Sequence, residues 1–511
     1  MMVSMKRIKA LDVSVLLVPI VLYLGLVWHS IGKWSIWFDE AFSAYLMRYS
    51  LTDIFHYTAA DVHPPFYYVL LKFWTSIFGT SDVALRSMSA LCIAAAIVVA
   101  YFFVKSVFGR KVAFGAAMVL AMSPMLVRFG QEARMYGLVV LIAVAATWVL
   151  YGIHLRPTRN KWIAYAVLVA LGMWTHYFTA LVWLAHWVWR SFVIAGRGTK
   201  ATFRSRFFTR SWVKAHALAI ALFLPWLPFM AMQLGHIQGN GFWIRAVDAD
   251  TMTDFVTSNL LFLEHYEATS WLAVFCIVTA GLGAYLGKRV YQTLLPHQKW
   301  AFSLVAAVAL ASPVLLFIAS LPPLRPSFVD RYLLSSCFWL MALLGMIVVL
   351  SFRRHRVASI TLGVVIAIAL VVGLGNVYRL GNFNRESWET MAMKDVIHMI
   401  NIRDTSESPI IADSPWRFYE AIQYDTPQHN VYFINEWSPY GSYNMLRDRA
   451  YRKIHDTQWF YGQHKEFWYV GVYHDSNPHM PAGNWQVIDS VQGPQTLEGS
   501  GTIYGYKLRA Q

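Results

Sequence analysis

The amino-acid sequence predicts a polytopic α-helical membrane protein that carries a C-terminal soluble α/β domain. Of its 511 residues, 57% are hydrophobic and only 14% are charged, whereas about 25% of the residues of a typical soluble domain are charged. Apolar runs of about 20 residues, the length that crosses a bilayer, recur from the N-terminus onward. After Tyr378 the composition becomes polar and aromatic, with the turn signals of a soluble domain.

Eleven apolar runs are candidates for membrane-spanning helices, so we expect about eleven spans. Two of them are short and meet at His176, and for that reason the count is approximate. The candidate runs are residues 11–31, 83–105, 112–128, 135–153, 162–176, 177–193, 215–231, 269–287, 300–320, 332–351 and 357–377.

Lysine and arginine gather in short clusters between these runs, and every cluster falls on the same side of the predicted membrane. The clusters lie at 6–9, 110–111, 156–161, 197–214, 288–299 and 353–356. Basic loops stay in the cytoplasm, so we expect a cytoplasmic N-terminus. Of the thirteen acidic residues before position 378, only Asp12 lies on the basic side. The formal net charge of +15 is therefore a topology signal, and no nucleic-acid partner is predicted.

The spans divide the chain into a transmembrane domain, residues 1–377, and a soluble domain, residues 378–511, which the parity of spans places outside the cytoplasm. The transmembrane domain carries two long external loops, 32–82 and 232–268. Residues 64–79 are apolar, but a span there would invert every later loop. We expect instead a segment that lies on the outer surface of the membrane.

Neither the N-terminal segment nor the three cysteines is taken as evidence of a secreted or a metal-binding protein. The basic N-terminus and the apolar run after it resemble a signal peptide in outline, but they are long and lack a small-residue cleavage site, so we expect a retained anchor. Cys92, Cys276 and Cys337 fall inside apolar runs, without the spacing of a zinc site. Neither a disulfide nor a thiol-bound metal is predicted.

The first external loop begins with two adjacent acids, Asp39 and Glu40, directly after the first span. A partly desolvated carboxylate at a membrane surface suits a general base for an acceptor hydroxyl. Adjacent acids at this position can equally serve only to stabilise the following helix, by interacting with the positive end of its dipole. Phe42, Tyr45 and Tyr49 recur at helical spacing after the pair, which predicts an interfacial helix with the acids at its N-terminus.

Further ionisable side chains occur where spans meet the outer surface. They are His63, the pair Glu132 and Arg134, the pair His176 and Tyr177, and Arg331. Each has a plain structural interpretation, as an internal ion pair, a satisfied polar side chain or an arginine that reaches the headgroups. Together they bring carboxylates, imidazoles and guanidinium groups to one face of the membrane. Since arginine binds phosphate bidentately and a carboxylate can take a proton, this combination predicts transfer between a lipid phosphate and a hydroxyl.

The order of the motifs resembles that of bacterial membrane glycosyltransferases of the GT-C fold. More closely, it is similar to the family that groups protein O-mannosyltransferase-like and aminoarabinose-transferase-like enzymes, including the lipopolysaccharide-core type. The motifs are WFDEAFSAYL, DVHPPFYYVLLKFW, RFGQEARMYGL, WTHYFTALVW and VDRYLL, within roughly residues 10–380. Where several relatives continue the last motif with a proline, this chain reads LLSSCF.

The resemblance implies an inverting hexosyl or pentosyl transferase of a bacterial inner (plasma) membrane. It would move a sugar from a polyprenyl-phosphate carrier to a hydroxyl of a cell-envelope glycan, lipid or protein. Asp39 would be the catalytic base and Glu40 its partner. The residues expected to bind the substrate or the carrier phosphate are His63, Glu132, Arg134, His176, Tyr177 and Arg331.

No cofactor is predicted. The first external loop lacks a recognisable DxD metal motif. Asp248 and Asp250 have that spacing in the second long loop, where solvated acids are the preferred interpretation, and a role for a divalent metal is left open.

A transporter or flippase of lipid-linked sugars is the alternative from another functional class. Its charged residues would lie near the bilayer midplane within broken helices, whereas the middle of each run here is almost uncharged. A non-catalytic scaffold would leave the acid-rich first loop unexplained. The predicted partners are therefore a polyprenyl-phosphate sugar, a hydroxyl acceptor and the lipid bilayer.

Overall fold

Helices make up the chain as far as residue 380 in the computed structural model. The structure describes residues 10–195, 200–240, 244, 246–263, 270–384, 387–434, 441–448, 452–473 and 480–511. Some predictions fall outside these residues: the N-terminal basic cluster Lys6, Arg7 and Lys9, and the loop acids Glu264 and Glu267.

The helices of this first part differ widely in length, and the short ones cluster in the first external loop. They are α1 Ala10–Trp28, α2 Phe38–Leu46, α3 Leu51–Ala60, α4 Phe66–Phe78, α5 Asp82–Phe108, α6 Arg110–Ala121, α7 Pro124–Gly130, α8 Tyr136–Leu155, α9 Arg159–Thr175, α10 Ala180–Ala195, α11 Lys200–Phe207, α12 Arg210–Phe223, α13 Leu227–Asn240, α14 Thr251–Leu261, α15 Ser270–Thr293, α16 Pro296–Ala319, α17 Leu334–Ser351 and α18 Arg356–Leu380.

Each of the eleven predicted runs coincides with one of these helices or with a consecutive pair. Within the described residues, six helices are long and apolar enough to cross a membrane. The number becomes seven if α6 and α7, which meet at 60°, are counted as one broken span. The polytopic helical class is confirmed, while the count of eleven stays a prediction.

The long helices pack closely because small residues let their backbones approach. Helix α5 packs on α6 and α8, and α17 packs on α6 and α16. A Cβ atom on Gly345 of α17 would come within 2.8 Å of the backbone of Gly115 and Ala116 in α6. Such contacts between small residues are the usual means by which membrane helices associate.

Three short helices fill the predicted first external loop. Ser50 caps α3 through a capping box with Asp53, and Ser81 caps α5. Helix α4 has 13 residues, so it is only about 20 Å long and too short to cross a bilayer of about 30 Å as a straight helix.

The aromatic face of α2 is covered by protein and does not lie in the membrane interface, which corrects the prediction made from its periodicity. Phe42, Tyr45 and Tyr49 are all buried. The ring of Tyr45 lies 6.0 Å from that of Phe418 and 5.0 Å from that of Tyr419. Both partners belong to the C-terminal domain, so this domain takes the place that we had assigned to lipid.

The C-terminal domain is a mixed α/β unit, as predicted. Its described strands form a two-stranded ribbon and a six-stranded sheet of order β5-β4-β3-β6-β8-β7. The first four strands of that order are parallel, and β8 and β7 are antiparallel additions at one side. The elements are β1 Phe383–Asn384, β2 Glu389–Thr390, α19 Met393–Arg403, β3 Ile410–Ala412, α20 Pro415–Ala421, β4 Val431–Ile434, α21 Asn444–Asp448, β5 Lys453–Ile454, α22 Thr457–Gln463, β6 Glu466–Tyr473, β7 Trp485–Gln492 and β8 Thr502–Ala510.

Hydrogen bonds join this domain to the start of α5 and to the end of the first span. The carboxylate of Asp82 accepts a bond of 3.1 Å from the hydroxyl of Tyr424 and pairs with the ammonium of Lys394 at 3.2 Å. Lys394 also donates its Nζ to the carbonyl of Gly32 and its backbone N–H to the hydroxyl of Ser35. The domain is therefore docked on the first external loop.

Candidate active site

Asp39 lies in the first turn of α2, where its charge complements the helix dipole. Its side chain is 22% exposed, and its Oδ2 lies 3.5 Å from Nη2 of Arg134. The Arg134 side chain is only 2% exposed. A half-buried carboxylate is thus held beside a buried guanidinium while part of it stays accessible.

Glu40, the neighbouring acid, is fully engaged in the interior. Its carboxylate is 1% exposed and forms a bidentate pair with Arg86, at 2.8 Å to Nε and 2.7 Å to Nη2. Its Oε1 also accepts a bond of 2.8 Å from the backbone N–H of Ala133. This geometry holds α2 in place and leaves Glu40 little capacity to contact a substrate.

Arg86 uses all five of its N–H donors. Besides its two bonds to Glu40, it donates to the carbonyls of Ile31, Trp34 and Ser35. The end of the first span, the first turn of α2 and the start of α5 therefore meet at one guanidinium.

Arg134 connects the first loop to the turn before α8. Its Nη1 donates to the carbonyl of Asp39 at 3.2 Å and to the hydroxyl of Tyr68 at 3.2 Å. Its own carbonyl accepts a bond of 2.9 Å from the hydroxyl of Ser89 in α5. A Cβ on Gly137 would lie 2.7 Å from the carbonyl oxygen of Ser89, so this glycine allows α8 to approach α5.

His63 lies between an acid and Arg134, and the contacts determine which ring nitrogen carries the proton. Nε2 is 3.4 Å from Nη2 of Arg134, which can only donate. Nδ1 is 3.3 Å from Oδ2 of Asp61, which accepts its proton. Burial lowers the pKa of His63 from its ordinary value. The ring is accordingly neutral, with both nitrogens occupied by protein.

Glu132 lies in the turn between α7 and α8 and is 2% exposed. Its Oε2 pairs with Arg128 at 3.1 Å, while Oε1 is enclosed and has no hydrogen-bond partner among the described residues. Burial raises the pKa of Glu132 to about 7, although Arg128, Arg331 and Arg134 oppose the shift. This carboxyl can therefore change its charge near neutral pH.

Arg331 lies near the C-terminal end of the transmembrane domain, just before α17. Its guanidinium carbon lies 5.6 Å from the centre of the ring of Trp37, which precedes Asp39 by two residues in the chain. Its charge also acts on Glu132. The next residue, Tyr332, contacts the ring of His176 at 5.1 Å.

His176 belongs to this region, whereas its neighbour Tyr177 does not. The ring of His176 lies 5.6 Å from that of His63. The hydroxyl of Tyr177 donates to the side-chain oxygen of Gln233 and accepts from the indole of Trp226. Tyr177 thus joins a separate network that fastens α13 to the first loop.

The structure therefore brings together most of the side chains selected from the sequence, and their chemical roles stay predictions. The convergent set is Asp39, Glu40, His63, Glu132, Arg134, His176 and Arg331. Sequence reasoning missed Arg86, Arg128 and Tyr68. Arg86 had a signal, because an arginine inside an apolar run is costly unless it is paired or used.

A metal site is not evident in the described part of the chain, where no three His, Cys, Asp or Glu side chains are grouped suitably for an ion. Asp248 instead accepts bonds from the backbone N–H groups of Asp250 and Thr251 and from the Thr251 hydroxyl, in the turn before α14. The dependence on metal thus stays a prediction to be tested.

Comparison with known proteins gives a match to a family model over part of the chain and a shared fold. The family described as "Dolichyl-phosphate-mannose-protein mannosyltransferase" matches residues 62–229. Among curated proteins, no sequence matches this chain.

Solved structures match over nearly the whole chain. ArnT from Cupriavidus metallidurans, in the apo state and bound to undecaprenyl phosphate, superposes with TM-scores of 0.60 and 0.61 at 13% identity, over 96% of this chain and 97% of that chain. An archaeal oligosaccharyltransferase, AglB from Archaeoglobus fulgidus in complex with an inhibitory peptide and a dolichol-phosphate, superposes with a TM-score of 0.47 at 14% identity, over 90% of this chain and 69% of that chain. The chain has the ArnT fold, and the predicted resemblance to GT-C glycosyltransferases is confirmed.

The pair of Glu40 and Arg86 gives a first test. Replacing Arg86 by Met leaves a buried carboxylate without its counter-charge, which costs about 3–5 kcal/mol in similar pairs. We expect a lower melting temperature of the purified protein in detergent. Arg156→Met, at an exposed position between α8 and α9, serves as the control and should melt like the wild type. An unchanged melting temperature for Arg86→Met would contradict the role assigned to the pair.

Proposed function

We propose that this protein is an inverting glycosyltransferase that moves a sugar from a polyprenyl-phosphate carrier to a hydroxyl acceptor at the outer face of the membrane. The observation that carries the proposal is the partly exposed carboxylate of Asp39, held by the buried Arg134 in a chain with the ArnT fold. A cell-envelope glycan, a lipid or a protein could supply the acceptor hydroxyl.

Asp39 is the group best placed to act as the base. It would take the proton of the acceptor hydroxyl while the hydroxyl oxygen attacks the anomeric carbon of the donor sugar. The bond between that carbon and the phosphate oxygen breaks on the opposite side, so the configuration inverts and the carrier phosphate leaves. Arg134 orients the carboxylate through its contacts with both the side chain and the carbonyl of Asp39.

The carrier phosphate is assigned to the side of the site that Arg331 occupies. A guanidinium offers paired donors to phosphate oxygens and stabilises the negative charge that the leaving phosphate gains. Undecaprenyl phosphate is bound in one of the ArnT structures, which supports a carrier of that chemical class for this chain.

Glu40 and His63 are assigned to positioning. Glu40 has both oxygens engaged with Arg86 and Ala133. His63 has both ring nitrogens engaged with Asp61 and Arg134. Through these contacts the two residues would position Asp39 and Arg134, which is the role we propose for them here.

Transport of a lipid-linked sugar is a second candidate, favoured by one observation. Helices α6 and α7 meet at 60°, and Glu132 lies two residues after the end of α7. Broken helices beside ionisable residues occur in transporters. A transporter would not need a base, so the Asp39 experiment below separates the two functions.

Replacing Asp39 by Asn removes the base but keeps the shape of the side chain. We expect transfer to fall by roughly 10²–10⁴-fold, the usual contribution of general-base catalysis, with little change in the affinity for donor. The measurement is sugar transfer by purified protein with a panel of polyprenyl-phosphate sugars and envelope acceptors. Asp53→Asn, in the cap of α3, is the matched control. Full transfer by Asp39→Asn at wild-type expression would refute the assignment of the base.

Replacing Arg331 by Ala should weaken donor binding. Hydrogen bonds to charged groups contribute about 1.5–3 kcal/mol, so we expect the KM for the lipid-linked donor to rise by roughly 10- to 100-fold. Arg325, an exposed arginine of the same loop, supplies the control variant Arg325→Ala. If the KM for donor stayed unchanged in Arg331→Ala, the phosphate would have to be held elsewhere.

Glu132 should make donor binding depend on pH. The neutral carboxyl leaves the neighbouring arginines free to attract phosphate, whereas the ionised carboxylate offsets their charge. Because the pKa of Glu132 is about 7, we expect the KM for donor to rise as the pH increases through that value. A phosphodiester donor keeps its charge over this range, so the change reports on the protein.

The variant Glu132→Gln is permanently neutral and should show a low KM at every pH between 6 and 8, about a unit either side of the pKa. The raised pKa of Glu132 also determines how the stability of the folded protein changes with pH. A folded-state pKa above the unfolded value of about 4.3 means that stability falls as the pH rises towards neutrality. The melting temperature of the wild type should therefore decline relative to that of Glu132→Gln over this range. A pH dependence that survived in Glu132→Gln would assign it to another group.

A further inference from the structure

A short connector, residues 29–37, joins the first span to α2, the helix that carries Asp39. Trp37 ends the connector, at the position where serine, threonine or aspartate usually caps a helix. A tryptophan side chain can only donate hydrogen bonds, so it cannot accept one from the first N–H groups of α2. The place where α2 begins therefore depends on bonds that other parts of the chain make to the connector.

Tyr424 makes such a bond directly before the helix. It ends the 3-10 turn after α20, and its hydroxyl accepts a bond of 2.8 Å from the backbone N–H of Ile36. The same hydroxyl donates to Oδ2 of Asp82 at 3.1 Å. Burial raises the pKa of Tyr424 well above its ordinary value, so the hydroxyl keeps the proton that it donates. Ile36 is buried, and the loss of this acceptor from its N–H would be costly.

Lys394, in the first turn of α19, bonds to the connector at two further points. Its Nζ donates to the carbonyl of Gly32 at 2.8 Å, and its backbone N–H donates to the hydroxyl of Ser35 at 2.9 Å. The C-terminal domain thus binds the connector at three of its residues, Gly32, Ser35 and Ile36.

Asp82 joins these contacts to the pair of Glu40 and Arg86. Its buried carboxylate accepts bonds from Tyr424 and from Nζ of Lys394. Arg86 follows Asp82 by one helical turn in α5 and donates to three carbonyls of the connector. Helix α5 and the C-terminal domain therefore hold the connector together.

The contact with the C-terminal domain continues into the first turn of α2. The ring of Phe38, the residue before Asp39, lies 5.2 Å from that of Trp416 and 6.1 Å from that of Tyr419. Arg134, which binds Asp39 from the turn before α8, belongs to the transmembrane domain. A shift of the connector would consequently move Asp39 relative to Arg134.

We propose that Tyr424 is a positioning residue for the transfer reaction, because its bond to Ile36 keeps α2 where Asp39 can take the proton of the acceptor hydroxyl. The C-terminal domain thereby contributes to catalysis through the connector. The inference rests on the proposed function, in which Asp39 is the base. A displacement of about 1 Å at a reacting group can lower a rate by roughly 100-fold, so a residue that acts in this way has a measurable effect.

The first test is Tyr424→Phe, which keeps the ring and removes the hydroxyl. Transfer by full-length protein in lipid nanodiscs is measured with the undecaprenyl-phosphate sugar that the wild type uses best. We expect kcat to fall by roughly 10- to 100-fold and the KM for donor to stay within about twofold, since the donor phosphate is assigned to Arg331. Gln423→Ala is the matched control. It removes a bond from the neighbouring residue to the carbonyl of Thr80, outside the connector, and should keep the wild-type kcat.

A double variant shows whether Tyr424 acts through Asp39. In Asp39→Asn, which lacks the base, adding Tyr424→Phe should lower the residual transfer by less than about twofold, because residues that act as a unit have non-additive effects. A merely structural role would lower transfer by the same factor in both backgrounds.

Two further measurements test the connector independently. Lys394→Met removes the bond from Nζ to the carbonyl of Gly32, and it should lower kcat by roughly three- to tenfold with the KM for donor unchanged. Hydrogen exchange of the peptide 35–46 needs no substrate. It should be faster in Tyr424→Phe than in the wild type, and unchanged in Gln423→Ala.

The inference is overturned if Tyr424→Phe and Lys394→Met both keep the wild-type kcat, or if the loss appears in the KM for donor instead. It is also overturned if Tyr424→Phe has its full effect in the Asp39→Asn background. Each of these results leaves the proposed function intact as long as Asp39→Asn itself loses transfer. Full transfer by Asp39→Asn would refute the assignment of the base, and this inference with it.

Discussion

The buried ion pair of Glu40 and Arg86 is the interaction on which the geometry of the site depends. A guanidinium in a membrane domain is costly unless all its donors are satisfied. Arg86 meets this condition with the carboxylate of Glu40 and three carbonyls at the end of the first span. Because Glu40 also binds the backbone of Ala133, the same pair fixes the turn that carries Glu132 and Arg134. Adjacent acids in the sequence therefore perform different tasks, one holding the scaffold and the other facing the reaction.

The helical membrane domain could be predicted because its signal is local. Long apolar runs and the one-sided distribution of basic clusters located the long helices that border the site. Periodicity also identified the buried face of α2, but it could not identify the partner of that face. Rings that cover Tyr45 come from Phe418 and Tyr419, more than 370 residues away in the chain. An aromatic face that packs on protein has the same sequence pattern as one that packs on lipid.

The composition of the site could be predicted further than its internal contacts. Asp39 and Arg134 were both selected, but their pairing depends on the close approach of α5 and α8, which a glycine at position 137 permits. His176 and Tyr177 were selected together because they are adjacent. The extended backbone of His176, with φ −163° and ψ 132°, precedes a 3-10 turn and directs the two side chains into different networks. Only three-dimensional packing could separate them.

Glu132 links the electrostatics of this site to its chemistry. Burial favours the neutral carboxyl and the nearby arginines favour the carboxylate, and the near balance leaves the pKa at about 7. An anion that binds beside these arginines offsets part of their charge, and it therefore shifts the balance towards the neutral carboxyl. Binding of a lipid phosphate and uptake of a proton at Glu132 are thus coupled. The coupling strengthens as the reaction proceeds, since the phosphate gains negative charge when its bond to the sugar breaks. A carboxylate that was always ionised would repel a phosphate bound at the same arginines. Glu132 can instead take up a proton and lose its charge when the phosphate binds, so its carboxyl is compatible with a phosphate site.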